Sequence, residues 1–143
     1  MRTYLLAAVG LLMIAPARVE TDIAAACYTE CEASTKSNPE FKACLARAAD
    51  KADAALNTAY QKLQDAIGAT AEEAEQKPDL QLSALKDAQK DWITYRDTNC
   101  TFEDELAFGG TAMGGVYSGC VCALSYERIN DFQRIRSHVL FID

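Results

Sequence analysis

Residues 38–68 read NPEFKACLARAADKADAALNTAYQKLQDAIG, and this stretch decides the fold. Phe41, Cys44, Leu45, Ala48, Ala52, Ala55, Leu56, Ala59, Tyr60, Leu63 and Ile67 recur at steps of three and four. That spacing draws one apolar stripe down one face of a long helix. Asn38 suits the N-cap, and Pro39 suits the first helical position, where its missing N–H costs nothing. Gly68 is the expected end of the helix.

Upstream, Asp22 to Lys36 is Ala-rich and free of Gly and Pro, which predicts a short helix with Cys27 and Cys31 one turn apart on one face. Downstream, Gly68 to Lys77 has capping-box spacing at Thr70 and Glu73, but its only apolar side chains are alanines. With so little to bury, it reads as a solvated turn or linker. Pro78 and Asp79 open a third long helix, in which Leu85, Ala88, Trp92, Tyr95, Asn99, Phe102 and Leu106 have the spacing of a bundle seam. Gly109-Gly110 stops it, and the run to Gly115 holds four of the chain's seven glycines, so a loop with unusual backbone freedom follows. A last helix starts near Tyr117, with Val121, Leu124, Phe132, Ile135 and Val139 facing inward. No segment alternates apolar and polar residues as a half-buried strand does. The expected fold class is all-α: a disulfide-stapled antiparallel bundle of three to four helices.

The chain begins differently. Arg2 precedes the apolar run Tyr4 to Ala15, and Ala15-Pro16-Ala17 suits signal peptidase. About 12 apolar residues fall short of the ~20 that a spanning helix needs, so residues 1–17 are expected to be a cleaved leader and 18–143 a single domain with no membrane span. Of the 14 basic residues only Arg2 leaves with the leader; 13 remain against 21 acidic ones, a net charge of −8. Such a surface repels nucleic acid and anionic lipid and attracts a cationic protein.

An even number of cysteines, six, in a short exported chain points to disulfides and to the periplasm or the extracellular space. A lipoprotein form acylated at Cys27 is disfavoured, because Arg18, Glu20 and Asp22 separate it from the apolar run and one cysteine would be left over. Cys100 and Cys120 face each other across the glycine loop, where a bridge would contribute roughly 3 kcal/mol. On a helix Cys120 and Cys122 point about 200° apart and need different partners. Cys31 with Cys44 would tie the first helix to the second, leaving Cys27 for Cys122. Fifteen pairings are open to six cysteines, and a peptide map placing Cys27 with Cys44 would sink this one.

Chemistry has little to build on. C-x3-C and C-x-C are poor matches to zinc modules, the single histidine, His138, lies near the C-terminus, and paired thiols are not nucleophiles. Neither catalysis, metal nor cofactor is expected. Tyr95-Arg96-Asp97, with Glu103 seven residues past Arg96 on the same helix face, suggests a binding patch or, preferably, a partly buried ion pair. Glu103, Asp104 and Glu105 sit at the negative end of their helix dipole and call for a cation, for which Arg96 and Arg128 are the candidates.

These residues resemble a known family. Cys44-Leu45 leads into Leu56-Asn57-x-x-Tyr60, then Leu85, Ala88-Gln89 and Trp92-x-x-Tyr95-Arg96-Asp97-x-x-Cys100-x-x-Glu103. Gly109-Gly110-Thr111, Tyr117-Ser118-Gly119-Cys120 and Glu127-Arg128 follow. The pattern, from about Cys31 to Ser137, is similar to that of the LprI-like lysozyme-inhibitor family of exported bacterial proteins. That family's usual four cysteines correspond to Cys31, Cys44, Cys100 and Cys120, so Cys27 and Cys122 look like additions. Where the family commonly has an Arg after the Ala-Gln pair, this chain has Lys90-Asp91. The resemblance implies binding and inhibition of lysozyme, or contact with another cationic envelope protein. Gly109, Gly110, Thr111 and Met113 are the first candidates for the contact. The competing expectation is a structural or interaction module of the periplasm with no lysozyme target.

Overall fold

The apolar stripe that begins at Phe41 lies on one unbroken helix, α2 (Asn38–Glu73). It is one of four helices in the computed structural model, which describes residues 23–140; the expected leader, residues 1–17, lies outside them. The others are α1 (Ile23–Ser34), α3 (Asp79–Leu106) and α4 (Gly115–His138), and no strand occurs among the described residues. Short turns join successive helices, so each runs antiparallel to the one before. The protein is an all-α, disulfide-stapled bundle, and α4 is its hub, packing against all three other helices and most extensively along α2.

Both ends of α2 depart from expectation. Ser37, not Asn38, is the N-cap: its backbone is extended (φ −142°, ψ 155°) and its hydroxyl accepts from Glu40 N. The Glu40 carboxylate accepts in turn from Lys36 N at 2.9 Å. Asn38 is thereby freed to bond elsewhere. At the other end α2 runs through Gly68 for another turn and a half, over the stretch expected to be a linker. A glycine in a helix interior costs about 1 kcal/mol relative to alanine. Here the following turn offsets it by burying Ala71, while Thr70 bonds back to Ala66 O. The helix closes at Glu75, which takes a left-handed conformation (φ 53°), and Gln76 N donates to Ala71 O at 2.8 Å.

Two apolar clusters fill the bundle. The first, at the end where the disulfides gather, joins Cys27, Ala49, Ala52, Cys100, Cys120, Val121 and Cys122. The second is built on Leu56, Leu63 and Phe132, flanked by Ala59, Tyr60, Ile67, Leu85, Trp92, Ile129, Ile135 and Leu140. Each of its large buried side chains contributes about 1.5–3 kcal/mol. Val139, expected inward, is exposed, and Leu140 packs into the cluster instead.

The buried face of α3 is also only in part the expected one. Tyr95, Phe102 and Leu106 are exposed, whereas Gln89, Arg96 and Cys100 are buried. Leu85 and Trp92 of the expected seam do pack on the second cluster, but two of the three buried side chains are polar, so apolar spacing alone locates only one edge of the inward face.

Candidate functional site

Between the two clusters lies a polar layer centred on Arg96. Its Nη1 donates to Asp53 Oδ1 on α2 at 2.7 Å and to the fully buried Ser125 Oγ on α4 at 3.1 Å, while its Nε donates to Asp97 Oδ1 at 2.9 Å. One guanidinium thus holds three helices in register. Burial opposes its charge, but the hydrogen bonds and charges of Asp53 and Asp97 outweigh that opposition and hold it above its ordinary value. Its plane lies over the Trp92 ring, 5.4 Å from the centroid, and Arg128 lies 5.6 Å from the same ring. Arg128 donates to Gln89 Oε1 at 3.2 Å and pairs with Asp131 at 3.6 Å; burial pulls its own value down.

Neither arginine pairs with Glu103, which corrects the expected ion pair. Helical side chains lean toward their own N-terminus. Arg96 therefore reaches back toward Asp53, and Glu103 instead accepts from Asn99 Nδ2 at 2.8 Å. The acids at the end of α3 find a different compensation. Asp104 Oδ1 accepts from Gly114 N at 2.7 Å and from Tyr117 N at 3.1 Å, so a carboxylate at the negative end of α3 also sits at the positive end of α4. It supplies the cap that Gly114 lacks.

These bonds make the α3–α4 turn a fixed object. Gly109 and Gly114 have φ of 74° and 82°, values that favour glycine. The Thr111 carbonyl accepts from Asn38 Nδ2 at 2.8 Å, pinning the turn to the start of α2. Of the four contact candidates, Gly109, Gly110 and Thr111 are exposed, and Met113 offers its thioether at 39% exposure. Phe108, in the same turn, is 81% exposed. Beneath the turn Tyr28 of α1 lies against α4, its hydroxyl facing Val116 O at 3.5 Å, and a β-carbon at Gly119 would fall on its ring. Burial raises the Tyr28 phenol above its ordinary value, and the charges of Glu103 and Asp104 raise it further.

Disulfides join Cys27 to Cys122, Cys31 to Cys44 and Cys100 to Cys120, with Cα–Cα separations of 6.4, 5.6 and 5.5 Å. Beside the first two lies an open cleft of about 470 Å³ whose charged walls are Glu30, Arg47 and Lys51. His138 is exposed in the last turn of α4. Among the described residues no group of His, Cys, Asp and Glu is placed to hold a metal, and no helix is long and apolar enough to cross a membrane. Sequence reasoning missed Asp53, Ser125 and Gln89 in the polar layer, whose only signal is a polar residue on an otherwise apolar face. It also missed Phe108, which stands next to the glycines that drew attention.

Comparison with known proteins gives this geometry a context. The model of the family described as lysozyme inhibitor LprI matches residues 29–132. An uncharacterized protein of Rhizobium meliloti (strain 1021) is 34% identical over 90 residues, 59% of this chain and 63% of that protein. The aligned part thus spans less than two thirds of the curated relative. No solved structure matches significantly. The matched span takes in the second half of α1, all of α2 and α3, and α4 as far as Phe132, so the chain belongs to the lysozyme inhibitor LprI family.

Proposed function

We propose that this protein is exported, loses residues 1–17, and binds and inhibits a lysozyme in the bacterial envelope by protein–protein contact. The observation that carries the reading is family membership over residues 29–132. The physical chemistry supports it. The chain has a net charge of −7, or −8 without the leader, which steers it toward a cationic enzyme and raises the association rate. Three disulfides fit an oxidising compartment outside the cytoplasm. A turn held at both ends loses little conformational entropy on docking, which favours binding. The turn from Gly109 to Met113 lies at the contact end, and inhibition needs no catalytic group in the inhibitor.

The test is the rate at which a cationic animal lysozyme clears bacterial cell walls, titrated with the oxidised mature protein at low and physiological salt. Dose-dependent slowing that weakens with salt is the expected result. No slowing at large molar excess would remove this enzyme as the target and favour an envelope interaction module.

A further inference from the structure

The bundle uses only part of the apolar spacing along α3: Leu85 and Trp92 pack on the second cluster, but Tyr95, Phe102 and Leu106 do not turn inward. Tyr95, Phe102 and Leu106 are spaced by seven and four residues, so they line one side of the helix over about 16 Å. Their exposures are 56%, 59% and 72%, and Phe108 just beyond them is at 81%. This stripe lies about 120° around α3 from the line of Gln89, Arg96 and Cys100 that packs inward. Single exposed apolar residues are ordinary, but three in line on one helix side, two of them aromatic, with a further exposed phenylalanine in the next turn, mark a contact surface.

The surrounding charge is one-sided. From Asp97 to Glu127 the chain has no Lys, Arg or His, while Asp97, Glu103, Asp104, Glu105 and Glu127 are acidic. Arg96 lends no charge outward, because it is buried against Asp53 and Asp97. Cations at this end of the bundle lie on or just before α2: the exposed Lys36, Lys42, whose side chain lies against Gly115, and Arg47 and Lys51 beside the cleft.

We propose that the outer face of α3, Tyr95, Phe102 and Leu106, together with Phe108 exposed in the turn that follows, is the surface that docks on the cationic enzyme, with Glu103 and Glu105 meeting its basic side chains. The proposal rests on the lysozyme reading above and moves the contact from the glycine turn to the helix beside it. Aromatic anchors provide the buried centre, and the flanking carboxylates provide steering and a charged rim. A second copy of this chain is a poorer occupant, since two acid-flanked stripes repel each other.

The test compares the oxidised mature protein with Phe102→Ser, Leu106→Ser, Phe108→Ser and Glu105→Lys in lysozyme titrations, with Leu80→Ser as control. Leu80 is equally apolar and 84% exposed, but lies at the far end of α3. All five positions are exposed, so unchanged melting temperatures are expected and are checked first. Each stripe variant should weaken inhibition about tenfold, and Leu80→Ser should leave it unchanged. If the parent protein inhibits and the stripe variants inhibit equally well, the face is wrong and the lysozyme reading stands. If the parent does not inhibit, both fall together. Sedimentation that finds a dimer dispersed by Phe102→Ser would also overturn the proposal, because a second copy would then cover the stripe.

Discussion

Arg96 shows how much one side chain can hold. Its three hydrogen-bond partners lie on α2, on α3 itself and on α4, so Arg96→Gln leaves a buried hydroxyl and two carboxylates without their donor. A loss of about 2–3 kcal/mol is expected, read from denaturant or thermal unfolding. Arg96→Lys should recover only part of it, because one ammonium cannot span all three acceptors. Tyr28 gives a test of the electrostatics. Its phenol titrates higher in the folded protein than in the unfolded chain, so the unfolded state releases this proton first as pH rises. Its contribution is fully present below about pH 10 and is lost as the pH rises through the folded value. Tyr28→Phe should therefore flatten the alkaline decline in stability and remove one raised phenolate step from the ultraviolet titration. Little of this was legible beforehand. Arg96-Asp97 advertises a charged group, but nothing marks Asp53, 43 residues earlier, as its partner. Glu103 and Asp104 invite a search for cations, when one is met by an amide and the other by backbone N–H groups.

Helices were legible wherever their apolar residues are also their buried residues. That holds for α2, whose buried Leu45, Ala52, Leu56 and Leu63 all lie on the stripe read from spacing. It holds only in part for α3, where Leu85 and Trp92 pack inward but the inward line also includes Gln89 and Arg96, and where Tyr95, Phe102 and Leu106 lie exposed. Hydrophobic spacing reports where apolar side chains are, and on a helix with two uses it reports a mixture of both. The start of α2 is ambiguous in sequence because Ser37 and Asn38 are both good caps, and Asn38 instead bonds to Thr111, 73 residues away. The cap of α4 comes from another helix altogether. Asp104→Ala should lower stability by about 1 kcal/mol by leaving Gly114 N and Tyr117 N without their acceptor. Faster amide exchange confined to the 107–117 turn would show that the cap has been lost locally.

The molecule as a whole is two apolar cores separated by a charged layer and stapled mainly at one end. Its class followed from one long stripe, the absence of strand alternation and the cysteine count. The packing order around α4 did not, because α4 is lined by small residues, Gly115, Gly119, Ala123 and Ser125, that carry little signal in a hydropathy pattern. The bridges also differ in what they connect. Cys31–Cys44 and Cys100–Cys120 each span a single turn, with separations of 13 and 20 residues, whereas Cys27–Cys122 spans 95. Any break in the backbone between residues 45 and 99 is therefore crossed by that one bond alone. A glutamate-specific protease cutting after the exposed Glu75 should yield a product that migrates as one species without reductant and as two with it. In the double variant Cys27→Ser with Cys122→Ser, the same cut should leave two pieces joined only by packing, which separate in denaturant. The long bridge thus closes residues 27–122 into a covalent ring that can be severed once and still be a single molecule.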